Sequence, residues 1–229
     1  MTSRLAIVIP TLDAGEGLGR SLDALADAEA AGLRTELVVV DGGSRDGTVR
    51  CAVAGGARVV RAPPCRGGQL AAGAAATTGA WLLFLHADTR LEAGWAQVAA
   101  RFMAEPANRE RAAAFRFALD DPGRAARRLE RLVAWRCRTL GLPYGDQGLL
   151  IARAFYERLG GFRPLPLMED VELVRRIGRQ RLAILPARAI TSAARYWREG
   201  WAVRGARNLS CLALYFLGVP PRLIRHLYG

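Results

Sequence analysis

Three apolar segments of this 229-residue chain lead directly to an aspartate. The pairs are Leu5–Pro10 with Asp13, Leu37–Val40 with Asp41, and Trp81–Leu85 with Asp88. If these segments are parallel strands of an open α/β sheet, their carboxyl ends meet at one rim, where such sheets bind ligands. The three acids therefore predict a site for a cation, or for a metal ion that carries a phosphorylated ligand.

A glycine-rich turn follows Asp41 and precedes a predicted helix at Thr48–Ala54. Glycines allow close backbone approach, and the amides at a helix start face anions, so this acid and turn suit a nucleotide. The pattern is not GxGxxG, so a dinucleotide fingerprint does not match. An ordinary strand–turn–helix with Asp46 as N-cap explains the same residues, and the segment alone leaves both interpretations open.

His86 and Asp88 are two residues apart at a predicted strand end, so their side chains can point the same way. One imidazole and one carboxylate can hold a divalent ion that also binds diphosphate oxygens. Taken alone, the pair is explained better by Asp88 capping a turn and by His86 packing in the core.

Two adjacent acids, Glu169 and Asp170, begin the predicted helix Met168–Ile177 after the proline-containing turn Arg163–Leu167. A carboxylate there can act as general base on a hydroxyl group if it is aimed at the site. Acids are also favourable at a helix start because of the helix dipole, so the residues alone do not decide between these roles.

Three further turns carry polar side chains that could contact a ligand. Arg66 precedes two glycines and a helix start, which is an arrangement suited to phosphate. Tyr144–Gly148 precedes a predicted strand and could contact an acceptor molecule. Arg195 could reach a phosphate, and Trp197 could stack on a sugar face. Each turn is explained equally well as an ordinary surface loop.

Taken together and in this order, the motifs resemble glycosyltransferase family 2, which has the GT-A (nucleotide-diphospho-sugar transferase) fold. The matching segments cover most of residues 4–180, and their joint order is more specific than any one segment. The HADT variant and the short chain look like a small bacterial subgroup. The segments are IVIPTLDAGEGL, VVVDGGSRDGT, RGGQLAAGAAATTGAWLLFLHADT, DQGLLIARAFYERLGGF and MEDVELVRRI.

The resemblance implies an inverting, metal-dependent transfer of a sugar from a UDP- or GDP-sugar to an acceptor hydroxyl, with Mg²⁺ or Mn²⁺ as cofactor. It implies catalytic roles for Asp170, the presumed base, and Glu169, and a metal role for Asp88 with His86. The implied donor-binding positions are Pro10, Thr11, Asp13, Asp41, Gly43, Arg66, Gln69, Ala87 and Asp88. The implied acceptor positions are Asp146, Gln147 and Trp197.

Two positions depart from the family pattern. His86 stands where the DxD metal motif of the family has its first acid. The QxxRW motif of processive members is absent, and Arg195-Tyr196-Trp197 is at most a remnant of it. A processive polymerase is therefore not expected.

The alternation of apolar runs and helical patterns predicts an α/β fold, a Rossmann-like and mostly parallel sheet flanked by helices. We expect one domain over residues 1–229, with a donor half (1–105), an acceptor half (106–195) and a C-terminal helical segment (196–229). The predicted strands are Leu5–Pro10, Glu36–Val40, Arg58–Ala62, Trp81–Leu85, Ala113–Leu119, Gly148–Ala152 and Leu182–Pro186. The predicted helices include Thr48–Ala54, Gln69–Thr77, Gly123–Leu140, Arg153–Leu159, Met168–Ile177 and Gly200–Tyr228.

The net charge is +12, and all 33 basic residues are arginine. GC-rich coding explains this bias, and attraction to nucleotide phosphates, nucleic acid or an acidic membrane surface explains it as well. The four cysteines have no zinc-site spacing and predict a reduced chain. The apolar run at the N-terminus stops at Pro10 and is too short for a signal peptide, so we expect a cytoplasmic protein.

The basic helix Gly123–Leu140 and the aromatic C-terminal segment suit peripheral contact with the inner face of the membrane. Ordinary packing with solvated arginines is the alternative. The apolar face of that helix is predicted to comprise Ala125, Leu129, Leu132, Val133 and Leu140.

Two other functions stay open at this level. One is a nucleotidyltransferase that makes a nucleotide-sugar. Enzymes of that class have a basic glycine-rich loop after the first strand, whereas the loop at this place in the chain, Thr11–Glu16, is acidic. The other is a non-catalytic basic adaptor on a membrane or nucleic acid. Nucleic acid is not expected as a partner, because no recognition motif is present and the rim acids repel a phosphate backbone.

Overall fold

The computed structural model of the protein describes residues 4–228, so the predicted domain limits at residues 1 and 229 lie outside it. Eight strands form one sheet. In chain order they are β1 (Leu5–Thr11), β2 (Thr35–Asp41), β3 (Arg58–Arg61), β4 (Trp81–Phe84), β5 (Thr89–Leu91), β6 (Ala112–Leu119), β7 (Leu149–Ala152) and β8 (Leu182–Thr191).

The helices lie between and after the strands. They are α1 (Gly15–Asp23), α2 (Asp27–Ala30), α3 (Thr48–Ala54), α4 (Arg66–Ala75), α5 (Trp95–Ala104), α6 (Arg124–Leu140), α7 (Arg153–Arg158), α8 (Glu169–Ile177), α9 (Ala194–Glu199), α10 (Trp201–Phe216) and α11 (Pro221–Tyr228). Short 3₁₀ turns occupy Ala24–Ala26, Pro106–Glu110, Gly145–Gln147 and Arg179–Arg181.

The spatial order of the strands is β3-β2-β1-β4-β7-β6-β8-β5. Strands β1 to β4 pair in parallel, and β6 pairs in parallel with β8. Strand β7 is antiparallel to β4 and β6, and β5 is antiparallel to β8. The predicted α/β fold with a mostly parallel sheet is therefore confirmed. Strand β5 and helix α5 were not predicted. Strand β5 is only three residues long, and the sequence shows no clear boundary between it and α5.

The main core covers both faces of β1 and β4 and extends over β2, β6 and β7. Every residue of β1 and β4 is buried, as expected for parallel strands covered by helices on both sides. Helix α4 packs closely over β1 and β2 because it has a glycine at the contact. A Cβ at Gly73 would lie 2.3 Å from Val8 Cγ1 and 2.9 Å from Val40 Cγ2.

The apolar face predicted for α6 was wrong in part. Leu132 and Leu140 are 60% and 52% exposed, and the residues that α6 buries are Ala126, Val133 and Cys137. These three recur at spacings of seven and four, which is one line along a helix. Small side chains therefore make most of the contact. Leu129 packs against it in part, whereas Leu132 and Leu140 face outward.

The C-terminal segment is helical as predicted, but it is broken twice. Gly200 has a φ of 87° and separates α9 from α10, and Gly218, also with a φ of 87°, precedes the turn to α11. Helices α10 and α11 cover one side of α8 with a second apolar cluster. Its buried members are Leu142, Leu167, Met168, Val171, Val174, Cys211, Leu212 and Ile224. Over the described range 4–228, none of the helices combines the length and apolarity needed to cross a membrane.

Candidate active site

The ends of β1 and β4 open into a cavity of about 1250 Å³. One side, called here the strand-end side, consists of the loops after β1, β2 and β4 and the start of α4. The opposite side, called the C-terminal side, consists of α9, α10 and α11. The turn before α8 lies between them. The rim predicted from the strand-end acids is thus where the cavity lies, and Asp13 and Asp88 both line it.

The loops after β1 and β2 are joined by hydrogen bonds. Asp13 has a φ of 48°; its amide donates to Ser44 Oγ (2.9 Å), and its Oδ1 accepts from the Arg45 amide (2.8 Å). The Gly15 amide donates to Asp46 Oδ2 at 2.9 Å. The left-handed backbone at Asp13 is tolerated because the neighbouring loop fixes both its amide and its carboxylate.

Asp41 does not line the cavity. Its buried carboxylate accepts hydrogen bonds from the amides of Gly43 (3.0 Å) and Ser44 (3.1 Å), so it shapes the turn that follows β2. Gly43 also lies outside the lining, whereas Pro10 and Thr11 are part of it. The structure therefore separates the predicted donor positions into a lining group and a supporting pair.

Gln69 joins β1 and β2 from helix α4. Its Nε2 donates to the carbonyl oxygens of Thr11 and Val40, both at 2.8 Å. The helix begins at Arg66, three residues earlier than predicted, and Arg66 lines the cavity. One residue on, the Gly67 amide donates to the Leu165 carbonyl (3.1 Å) and so links α4 to the turn that leads to α8.

Glu169 lies behind the cavity and forms an ion pair with Arg66. The Arg66 Nη1 to Glu169 Oε1 distance is 3.6 Å, and Glu169 is 1% exposed with no hydrogen bond to either carboxylate oxygen among residues 4–228. Burial, together with the charge of Asp170, raises the pKa of Glu169 to about 7. Burial opposes ionisation of Arg66, but the charges of Glu169, Asp170 and Asp88 and the Tyr228 hydroxyl together outweigh it and raise the pKa of Arg66.

Asp170 lines the cavity, and its carboxylate is held by two backbone amides. Oδ2 accepts from the Gly145 amide and Oδ1 from the Val171 amide, both at 2.7 Å. Helix α8 begins just before it, after Met168, which has a φ of 63°. The carboxylate is therefore oriented by main-chain amides from two separate segments.

His86 lines the cavity beside the Gly145 backbone. A Cβ at Gly145 would lie 2.4 Å from His86 Nε2, so only glycine leaves room for the ring in this position. Burial and the nearby charge of Arg66 lower the pKa of His86 to about 4. The imidazole is therefore neutral at neutral pH.

The three predicted acceptor residues have different surroundings. Asp146 lines the cavity, its Oδ1 is buried without a hydrogen-bond partner in the described residues, and burial raises its pKa to about 7. Gln147 is buried behind the lining, where its Nε2 donates to the Phe115 carbonyl at 2.9 Å. Trp197 is 68% exposed, also outside the lining, and its Nε1 donates to Asp121 Oδ2 at 2.8 Å.

Several lining residues were not predicted. They belong mainly to the C-terminal side, where the sequence shows only a helical pattern rich in arginine. The sequence signal that could have indicated them is the spacing of the arginines in the tail, because residues three or four positions apart lie on the same face of a helix. The unpredicted lining residues that carry charge or an aromatic ring include Glu16, Arg20, Arg90, Asp120, Tyr196, Arg198, Glu199, Arg204, Arg207, Arg225 and Tyr228.

The residues at the floor of the cavity fit a divalent cation that is shared with a phosphorylated ligand. The Asp88 carboxylate receives no hydrogen bond or ion pair from residues 4–228, and the neutral His86 lies two residues away. Mg²⁺ and related ions are commonly bound by one or two carboxylates, with substrate phosphates and water as the other ligands. Across the described part of the chain, no three His, Cys, Asp or Glu side chains are grouped to hold a metal by themselves.

Comparison with known proteins identifies the same fold and family. The family model of glycosyl transferase family 2 matches residues 6–147, more than half of the chain. A search of curated proteins gives no match. Glucosyl-3-phosphoglycerate synthase from Mycobacterium tuberculosis, solved with Mn²⁺, UDP and glucosyl-3-phosphoglycerate, is similar with a TM-score of 0.58 and 22% identity, over 83% of this chain and 70% of that one.

Two other solved structures are similar at lower identity. Mannosyltransferase PcManGT from Pyrobaculum calidifontis, in complex with GDP-Man and Mn²⁺, has a TM-score of 0.66 and 16% identity, over 92% of this chain and 61% of that one. S. aureus TarS 1-349, in complex with UDP-GlcNAc, has a TM-score of 0.62 and 15% identity, over 84% of this chain and 58% of that one. This chain thus spans less than two thirds of the latter two. At these identities the likenesses establish the fold alone, which confirms the predicted GT-A fold.

Proposed function

Since the chain belongs to glycosyl transferase family 2 and is a glycosyltransferase, we propose that it transfers a sugar, with inversion, from a nucleotide-sugar to an acceptor hydroxyl. The observation that carries this proposal is the meeting of Asp88, Arg66 and Asp170 on one cavity at the strand ends. The two alternatives, a nucleotidyltransferase and a non-catalytic adaptor, are not favoured by the comparisons.

The donor lies on the strand-end side in this proposal. Thr11, Asp13 and Pro10 contact the nucleoside, while Asp41 and Gly43 support that contact by holding the turn after β2. The similar structures contain UDP, UDP-GlcNAc or GDP-Man, which supports a UDP- or GDP-sugar as donor. Gln69 contributes by keeping the ends of β1 and β2 together at the nucleoside.

Asp88 and its neighbours bind the diphosphate. Asp88, with the neutral His86 as its companion, would hold Mg²⁺ or Mn²⁺, and such an ion offsets the negative charge that grows on the departing diphosphate. Arg66 adds a fixed positive charge beside it, and Ala87 contributes backbone to the same part of the lining. Glu169 keeps Arg66 in place from behind, which is a positioning role.

Asp170 acts on the acceptor. Its carboxylate takes the proton of the acceptor hydroxyl as the oxygen attacks the anomeric carbon from the face opposite the diphosphate. The bond from that carbon to the diphosphate breaks, and the nucleoside diphosphate leaves with the bonding electrons. Asp146 is adjacent in the lining and contacts the acceptor, whereas Gln147 and Trp197 support its surroundings from outside the cavity.

Peripheral membrane contact is a finer part of the proposal. Exposed apolar side chains on α10 and α11 support it, because they are accompanied by arginines on the same helices. They are Leu209, Phe216, Leu217, Leu223 and Leu227.

Replacement of the base tests the proposal. Asp170→Asn is expected to lower the rate of sugar release from UDP- or GDP-sugars by about 10² to 10⁴-fold, because the amide cannot accept the proton. Nucleotide affinity should stay at the wild-type value, and Glu16→Gln, an exposed acid on the cavity rim, is the matched control. A near-normal rate in Asp170→Asn would remove this residue as the base.

The donor is tested by thermal shift with UDP-, GDP-, TDP- and CMP-sugars, each with Mg²⁺ or Mn²⁺. A ligand present at about 100 times its dissociation constant stabilises the folded protein by roughly 2.7 kcal/mol, so a true donor raises the melting temperature by several degrees. If no sugar nucleotide shifts the transition, the proposed donor site is wrong.

A further inference from the structure

Helix α11 is held against the helix that carries Asp170. Ile224 is fully buried in the apolar cluster that includes Val171 and Val174 of α8. The Arg204 guanidinium lies 4.4 Å from the centre of the Tyr228 ring, which ties the end of α11 to α10. The position of α11 beside α8 is therefore defined by packing.

The exposed side of α11 forms a second cavity of about 540 Å³. Its lining consists of Pro166, Arg222, Arg225 and His226, and we call this cavity the basic annex. Pro166 and Arg225 also line the main cavity, so the two cavities are adjacent. The annex therefore adjoins the cavity that Asp170 lines.

The arginines of the annex differ from three arginines that line the main cavity. Arg204 and Arg207 both pair with Glu199, and Arg66 pairs with Glu169. By contrast, Arg222 and Arg225 form no ion pair with any carboxylate in the part of the chain that the structure describes, and no acid lines the annex there. Arg20, Arg90, Arg195 and Arg198 also form no ion pair among the described residues, but they share the main cavity with several carboxylates. Two uncompensated guanidinium groups in a concave site match the negative charge of a phosphate group. Each can also donate two parallel N–H bonds to a pair of its oxygens.

We propose that the basic annex binds a phosphate group of the acceptor, so that the acceptor is a phosphorylated molecule whose hydroxyl lies at Asp170. This inference rests on the proposed function, because it assigns the acceptor of the same site. The donor diphosphate is placed at Arg66 and Asp88 on the strand-end side, so the annex accommodates a second anion. The phosphate belongs either to a soluble compound or to a lipid headgroup.

The test compares two double variants with equal loss of charge. Arg222→Gln with Arg225→Gln removes the annex arginines, and Arg101→Gln with Arg109→Gln removes two exposed arginines away from both cavities. Each protein is saturated with UDP or GDP and Mg²⁺ and titrated with inorganic phosphate and with glycerol 3-phosphate, while the arginine Nε–H resonances are followed by NMR. We expect binding to be at least about tenfold weaker in the annex variant than in the control, since each charged contact contributes strongly.

A second arm identifies the source of the phosphate. Vesicles of phosphatidylcholine with and without phosphatidic acid are sedimented with the same proteins. A lipid source gives binding to phosphatidic acid that the annex variant loses and the control keeps. A soluble source gives this difference with glycerol 3-phosphate only.

The inference is overturned if the annex variant and the control bind every phosphate probe equally, or if phosphate competes with the nucleotide. These results are distinguishable from a failure of the proposed function. If the nucleotide binds but the annex variant behaves like the control, only the phosphorylated acceptor is ruled out. If phosphate binds at the annex but no nucleotide binds, the proposed donor site is wrong.

Discussion

The two sides of the cavity are held together by different kinds of contact. On the strand-end side, the contacts are hydrogen bonds between backbone and side chain. The Gly15 amide donates to the Asp46 carboxylate, and the carbonyls of Thr11 and Val40 accept from the Gln69 side chain. On the C-terminal side, the contacts are between two side chains. Glu199 pairs with two arginines, and the rings of Tyr196 and Trp201 stack with centres 5.1 Å apart.

This difference separates a site fixed by the sheet from a site assembled by helices. In each of these strand-end contacts one partner is backbone, so only the other partner depends on side-chain identity. Such contacts suit a ligand part that is common to many substrates. Side-chain joints between helices change whenever a residue changes, so they suit the part that differs between related enzymes. In the function proposed above, the first side binds the nucleotide and the arginine-rich second side binds the acceptor.

The largest expected effect comes from the point where the two sides meet. A Cβ at Gly67 would lie 2.1 Å from the Arg163 carbonyl oxygen and 2.9 Å from the Leu165 amide nitrogen. Both neighbours are backbone and cannot rotate away, so Gly67→Ala should destabilise the protein by about 3 kcal/mol or more in urea unfolding. It should also move Arg66 away from Glu169.

The adjacent glycine is the matched control for this substitution. A Cβ at Gly68 meets only Cys65 side-chain atoms at 3.6 Å or beyond, which is ordinary contact. Gly68→Ala should therefore keep the stability or raise it by up to about 1 kcal/mol, through helix propensity. Equal destabilisation by both alanines would show that α4 and the turn before α8 do not meet as described.

A smaller effect is expected within the strand-end side alone. Gln69→Leu leaves the Thr11 and Val40 carbonyls without this donor, at a cost of about 1 to 3 kcal/mol. Nucleotide affinity should also fall, since the end of β1 is released. Asn108→Leu removes another buried amide, which donates to the Phe102 carbonyl far from the cavity, and should lower stability without changing nucleotide affinity. If both leucines weaken nucleotide binding equally, the joint at Gln69 has no special part in the donor site.

The last expected effect concerns Asp146, and it depends on pH. Burial raises the pKa of Asp146 to about 7, whereas an aspartate in an unfolded chain has a pKa of about 3.9. Between these values the folded protein keeps a proton that the unfolded chain has released, so the free energy of unfolding falls as the pH rises. Asp146→Asn removes this loss and should therefore be more stable relative to wild type at pH 8 than at pH 4. Parallel stability curves for the two proteins would contradict the burial of this carboxyl.

Prediction from sequence succeeded where local patterns are strong. The apolar runs that became β1, β2 and β4 were recognised, and so was the helix start at Glu169 and Asp170, because apolar periodicity and acids at a helix start are local signals. The outward leucines of α6 were misplaced, because which stripe of a helix is buried depends on the surface it meets. For the arginines of the annex, the sequence predicted only that they belong to a helical C-terminal segment.

The sequence by itself determined the mostly parallel sheet, the rim at which its acids converge, and the family, because strand composition and motif order are properties of the chain alone. The tertiary structure decided which of those acids face the cavity. Asp13 and Asp88 line it, while Asp41 turns to its own loop amides, since hydrogen bonds to nearby backbone are formed in three dimensions. It also brought α11 against α8 and so placed Arg222 and Arg225 near Asp170, a contact between segments separated by some fifty residues that no local pattern encodes.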